Sequence, residues 1–261
     1  MSNLIHPTAV IDPSAELHES VKVGPYAVIG AQVQIGANSW IGPHAVVADL
    51  TTIGRDNKIF QFASVGEISQ DMTAKPEDGT RTEIGDGNTI REFVTINRGT
   101  LKQDGVTRIG DHNWLMAYVH IAHDCQIGSH TIFANNASLA GHVTIEDWVI
   151  LGGFTLVHQF CRIGAHAFTA YSAGLSGDVP PFVMVQGNPA IPRTINAEGL
   201  RRRGFSKESM AQIKQAYKLI YRSGKVLDEV KQELAAMAAG SEEVARMLKF
   251  IEAGRRPLQR G

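Results

Sequence analysis

Four histidines and one aspartate carry the chemistry most readily read from this chain: His120, His123, His142 and His158, with Asp124 directly after His123. Imidazole titrates near neutral pH, so a histidine beside a carboxylate suits general-base work on a weakly acidic proton. Converging imidazoles also suit zinc. Either chemistry requires a fold that brings residues 120–158 together.

The positioning elements are repeats of six residues. Stepping by six from Ile5 meets an aliphatic side chain at every position to Val65. The phase breaks at residues 67–83, resumes at Ile84, Ile90 and Ile96, and breaks again over 98–108. It then runs from Ile109 to Leu175, with Phe133 and Thr169 as the only off-type residues, so 24 of 26 phase positions are aliphatic. A period of six fits neither a helix nor a plain alternating strand. It fits a triangular coil of three short strands, 18 residues per turn, stacked in parallel at about 4.8 Å. The aliphatic residue and a small residue two before the next one point inward. Glycine follows many of the aliphatics, as at Gly24, Gly30 and Gly36; the expectation is that it supplies unusual corner angles. The two interruptions read as ejected loops, which in a regular stack are often functional.

On this phase the four histidines leave the core. Leu139 and Val157 fall 18 and 36 residues after Ile121, which predicts a vertical strip of His123, His142 and His158, about 10 Å tall. Cys125 and Cys161 fall on inward small positions and read as packing residues. Three functions remain open for the strip: a general base oriented by Asp124, a zinc site of the γ-carbonic-anhydrase kind, or a non-catalytic scaffold. A scaffold would favour repeated outward side chains such as threonine ladders, and none is present.

The remaining chain is organised differently. Residues 1–192 read as the coil, closed by the proline-rich stretch to Pro192, and residues 193–261 as a helical domain. Ser206 is placed to cap a helix that ends at Ser223-Gly224, and 226–239 and 242–253 read as two more helices. The helical part holds 15 basic and 8 acidic residues, the coil 10 and 18. The net charge of −1 argues against a general nucleic-acid binder. No window of 18 apolar residues predicts a membrane span, and the N-terminus lacks a basic-then-apolar leader. Two cysteines support neither a disulfide framework nor a four-cysteine zinc site, so a cytoplasmic setting is expected.

Several longer strings carry a family resemblance. These are residues 54–67 (GRDNKIFQFASVGE), His120-Ile121-Ala122-His123-Asp124-Cys125, residues 135–143 (NNASLAGHV), Val157-His158-Gln159-Phe160-Cys161, and residues 196–205 (NAEGLRRRGF). Together they resemble the bacterial acyl-[acyl carrier protein]–UDP-N-acetylglucosamine O-acyltransferases over nearly the whole chain. The resemblance implies a left-handed parallel β-helix (all-β, hexapeptide repeats) followed by a small α-helical C-terminal domain. It implies a homotrimer with sites in the clefts between prisms, and the first step of lipid A synthesis. A 3-hydroxyacyl group would pass from acyl carrier protein to the 3-hydroxyl of UDP-N-acetylglucosamine, with no acyl-enzyme. No cofactor or metal is implied, because the donor carries its own phosphopantetheine. Carried over, His123 is the base, Asp124 its partner, and the Gly141 N–H the oxyanion donor. Asp71, His120, His142, His158, Gln159, Asn196, Glu198, Arg202 and Arg203 fall where the family contacts nucleotide sugar or donor. A sister family that acylates the glucosamine nitrogen is the nearest alternative, but it carries an extra N-terminal domain.

The chain departs from the family at three places. The segment Gln70-Asp71-Met72-Thr73-Ala74-Lys75-Pro76 lacks the usual loop lysine and gains a residue, leaving Lys75 as the nearby candidate. Asn97 stands where histidine is frequent. Tyr171 stands where long-chain members have glycine; a phenol there predicts a shortened acyl groove and donors of ten to twelve carbons.

Overall fold

The computed structural model describes residues 4–260. The six-residue phase becomes two-residue strands such as Lys22–Val23, Val28–Ile29 and Gln34–Ile35, laid in turn on the three faces of a prism. The faces hold nine, eight and ten strands. Face one runs from Val10–Ile11 to Gly174–Leu175, face two from Glu16–Leu17 to Arg162–Ile163, and face three from Lys22–Val23 onward. Pairing is parallel and in phase: Ile121 sits under Leu139, and Leu139 under Val157. This is the left-handed parallel β-helix.

The core follows the inward positions. Ile29, Ile41, Ile59, Ile96 and Ile121 are buried, and so are the small partners Ala27, Ser39, Ala45 and Ala63. The off-type phase residues fit too. Phe133 is buried, and Thr169 turns its hydroxyl inward against the Thr155 hydroxyl at 2.7 Å, so no polar group is stranded. Cys125 and Cys161 are buried, and burial pushes their thiols up to about 12 and about 11.

Glycine plays a different part from the one expected. The left-handed corner residue is the third after each aliphatic, and it is usually not glycine: Tyr26, Gln32, Asn38 and His44 all have φ between 55° and 60°. The glycines after the aliphatics answer to the coil pitch instead. A Cβ on Gly36 would stand 2.7 Å from the Gly54 carbonyl carbon of the next coil. The left-handed corner positions stack into ladders. Tyr26, His44, Phe62, Phe93 and Tyr118 climb the corner between faces three and one, with centroids 4.8 to 5.4 Å apart. Ring stacking of this kind helps offset the backbone cost of non-glycine residues at positive φ.

The two interruptions are ejected loops whose ends rejoin the sheet. Strands Ser64–Glu67 and Arg81–Ile84 flank the first, and Thr95–Asn97 and Val106–Ile109 the second. The last coil closes with a hairpin: strand Val183–Gln186 pairs antiparallel with Ile191–Ile195, which runs past residue 192. Four helices follow: α1 Ala197–Arg202, α2 Lys207–Arg222, α3 Leu227–Ala238 and α4 Glu242–Glu252. Ser206 caps α2 by accepting from Ser209 N–H at 3.0 Å. Ile213, Ala216, Val230, Leu234, Val244 and Met247 form the helical core. Arg162 ties α4 to the coil, donating to the Phe250 carbonyl at 2.7 Å while pairing with Asp178 at 2.8 Å.

Candidate active site

The corner between faces one and two carries the reactive groups. Its turn at residues 122–125 places Asp124 in the left-handed position (φ 59°) with its carboxylate 1% exposed. His123 Nδ1 lies 2.8 Å from Asp124 Oδ2. A carboxylate accepts, so Nδ1 carries the proton and Nε2 keeps its lone pair. Burial works to raise the Asp124 carboxyl, but hydrogen bonds from His123 and Thr100 more than offset it and hold it below the ordinary value. One coil up, Gly141 packs on the Cε1–Nε2 edge of the His123 ring. Among the described residues, the Gly141 N–H donates to no backbone acceptor. The His123 ring and a backbone N–H with no backbone partner therefore lie on neighbouring coils of this corner.

The expected strip resolves into two rows. His142 stands edge-on to His123, centroids 5.0 Å apart, and stacks on Phe160 at 4.5 Å rather than meeting His158. His158 turns onto face one, where it lines a groove with His120, Ala140, Leu156, Val157 and Pro189. The offsets from the paired aliphatics explain the split. His158 is one residue after Val157, still at the strand end, whereas His142 is three after Leu139, in the turn. Burial holds both His120 and His142 below the ordinary imidazole value, with the neighbouring His123 acting the same way on each.

The second ejected loop closes over this corner. Thr100 donates to Asp124 through its hydroxyl (Oγ1 to Oδ2, 2.6 Å) and its N–H (3.0 Å to Oδ1). Gln103 Oε1 lies 2.6 Å from His142 Nδ1. Lys102 pairs with Asp71 of the first loop, which holds the Asp71 carboxyl far below its usual range. Thr100, Lys102 and Gln103 escape a sequence reading because the loop breaks the phase that would place them. His123, Asp124 and His142 offer potential ligand atoms within 4.8 Å of one another, but both Nδ1 atoms are already committed, to Asp124 and to Gln103.

The remaining expected contacts lie elsewhere on the chain. Asn196 caps α1: its Oδ1 accepts from Gly199 N–H at 3.1 Å and its Nδ2 donates to the His166 carbonyl at 2.9 Å. Glu198 is exposed and accepts from both Arg201 and Arg202, at 2.8 and 2.7 Å, which lowers its carboxyl to about 2. Arg203 lies over the Trp148 ring at 5.1 Å, beside His166. Trp148 and His166 belong to the corner between faces two and three. The Asn196–Arg203 group therefore sits one corner away from His123 within a single chain. Gln159 is exposed beside His158, and Tyr171, 75% exposed, lies at the far edge of face one.

Comparison with known proteins decides the family. An acyl-[acyl-carrier-protein]–UDP-N-acetylglucosamine O-acyltransferase of a Janthinobacterium strain is 61% identical over 99% of this chain and 100% of its own length. One from Thiobacillus denitrificans is 57% identical over 98% and 99%. This chain belongs to that acyltransferase family. The family profile described as UDP N-acetylglucosamine O-acyltransferase, domain 2, matches residues 178–259, and the bacterial transferase hexapeptide profile matches 107–141. The UDP-N-acetylglucosamine acyltransferase structure from Francisella novicida is 44% identical, with a TM-score of 0.96 over 98% of this chain and 94% of its own. The Arabidopsis acyltransferase is 37% identical, with a TM-score of 0.83 over 99% and 100%. Membership in an acyltransferase family decides against the zinc-anhydrase and scaffold readings. Among the described residues, no helix is long and apolar enough to cross a membrane.

Proposed function

We propose that this protein transfers a 3-hydroxyacyl group from acyl carrier protein to the 3-hydroxyl of UDP-N-acetylglucosamine, opening lipid A synthesis in the cytoplasm. The reading rests on the packing of Gly141 against the His123 ring, which is oriented by Asp124. Nε2 takes the sugar hydroxyl proton as the oxygen attacks the thioester carbonyl. The imidazolium that forms faces Asp124, which is ionised and held in place. Gly141 donates to the carbonyl oxygen as it gains charge. Collapse expels the phosphopantetheine thiolate, which takes the proton from the imidazolium and so restores the base, and neither an acyl-enzyme nor a resident cofactor is required. The groove of His120, Ala140, Leu156, Val157 and Pro189 begins at this corner, and its mostly apolar lining suits a hydrocarbon chain.

The site is completed by a neighbouring copy in a homotrimer. Two observations support this. The base and the Asn196–Arg203 group occupy different corners of one prism. Face two, between those corners, carries an open groove of about 710 Å³ lined by Glu83, Arg108, Gln126, Glu146 and Arg246. Three prisms with face two turned inward would set the base corner of one copy against the arginine corner of the next. Arg202 and Arg203 then meet the nucleotide diphosphate, for which guanidinium forks are suited. The basic helical domain faces the acidic carrier protein. The test is direct: purified protein with 3-hydroxyacyl carrier protein and UDP-N-acetylglucosamine should yield the 3-O-acyl product by mass spectrometry. Absence of that product, or a product acylated on nitrogen, contradicts the proposal.

A further inference from the structure

We infer that Thr100, on the second ejected loop, is a positioning residue for the base: its hydroxyl fixes the Asp124 carboxylate that orients His123. The inference rests on the reading of His123 as the base.

The geometry at Asp124 poses a choice. Its Oδ2 lies 2.8 Å from His123 Nδ1 but only 3.8 Å from His142 Nδ1. A small rotation of the carboxylate would exchange one partner for the other. Three contacts prevent this. Thr100 Oγ1–H donates to Oδ2 at 2.6 Å, beside His123 Nδ1 at 2.8 Å on the same oxygen. The Thr100 N–H is shared between Oδ1 at 3.0 Å and Oδ2 at 3.2 Å. Gln103 occupies His142 Nδ1 at 2.6 Å, removing the competitor. Asp124 N–H in turn donates to the Thr107 hydroxyl at 2.8 Å, so both ends of the loop grip this residue. Thr100 is 4% exposed, which makes the hydroxyl contact a buried, charge-assisted one.

Thr100 acts only through Asp124, so its removal has a recognisable signature. With the hydroxyl gone, the charge on Oδ2 is less neutralised and stabilises the imidazolium more, which makes the base easier to protonate. The acid limb of the kcat profile then moves to higher pH. Meanwhile the carboxylate stays on His123 but is held less rigidly, so the imidazole is less well oriented and turnover falls. The other charged or titratable groups facing this cluster are His120, His142, Lys102 and Asp71, and none is altered by the substitution.

The experiment compares wild type, Thr100→Val, Thr100→Ser and His123→Ala by acyl transfer from 3-hydroxyacyl carrier protein at pH 5.5 to 9, with Tm measured for each. Thr100→Val should lose about 10- to 50-fold in kcat with KM within about threefold, and its acid limb should move up by several tenths of a pH unit. Thr100→Ser should restore both to near wild type. If His123→Ala is inactive while Thr100→Val matches wild type, or if the limb stays put while Tm alone falls, the positioning role is wrong and the base stands. If His123→Ala stays active, both readings fall.

Discussion

Gly141 sits so close over the His123 ring that a Cβ placed on it would stand 2.5 Å from Cε1 and 2.6 Å from Nε2. This position therefore needs glycine because the missing side chain leaves the imidazole where it is. Gly141→Ala should fold, at a cost of about 1 kcal/mol, yet lose on the order of 10²-fold in kcat because the base is pushed aside. Turnover and thermal unfolding measured together check this. A kcat within threefold of wild type means the ring is not held by this contact.

The assembly proposal predicts complementation. His123→Ala and Arg203→Ala should each be nearly inactive alone. Mixed trimers refolded from equal amounts should regain about one quarter of wild-type activity, since each site draws the base from one copy and the arginine from the next. No recovery in verified mixed trimers contradicts a site shared between copies.

Tyr171 tests the acyl groove. It lies across face one from the His123 corner, 75% exposed, and outside the lining of the groove in a single chain. If the chain runs across this face, wild type should prefer donors of ten to twelve carbons over fourteen. Tyr171→Gly should move the preference towards fourteen, each buried methylene being worth about 0.8 kcal/mol. Relative rates with the three donors decide it, and an unmoved preference takes Tyr171 out of the groove.

His166 makes stability depend on pH. Burial, aided by the Arg203 and Arg246 charges and opposed by Asp147, lowers its imidazole from 6.5 to about 4. The unfolded chain therefore binds the proton first. This contribution to stability is complete above pH 6.5 and lost as pH falls towards 4. It should amount to ~2 kcal/mol between pH 8 and pH 5. His166→Phe should keep the stack between Trp148 and Phe182 while showing a flatter Tm profile over that range. Parallel profiles for the two proteins contradict this account of His166.

What the sequence makes legible here is whatever the six-residue period controls. The inward aliphatics, the three-faced coil, the His123 corner and the caps at Ser206 all follow from spacing and side-chain type. The glycines after the aliphatics mislead, because a coil-to-coil clearance at Gly36 looks the same in sequence as a turn requirement. His158 is lost from the expected strip because one step along a corner changes the face a side chain addresses. Thr100 is invisible for a stronger reason. It reaches Asp124 from a loop outside the period, 24 residues away, and no rule of spacing links the two. The Asn196–Arg203 motif is legible as a string, but its distance from the base corner is a property of the coil's winding.

The central claim is that His123 removes the sugar hydroxyl proton in a direct transfer. The most direct measurement is the acyl transfer rate of His123→Ala from 3-hydroxyacyl carrier protein to UDP-N-acetylglucosamine, with Tm confirming the fold. The imidazole lies outside the aliphatic core, 17% exposed, and Thr100 still holds Asp124, so the variant should fold while kcat falls by about 10²–10⁴. A folded variant within tenfold of wild type would contradict the assignment.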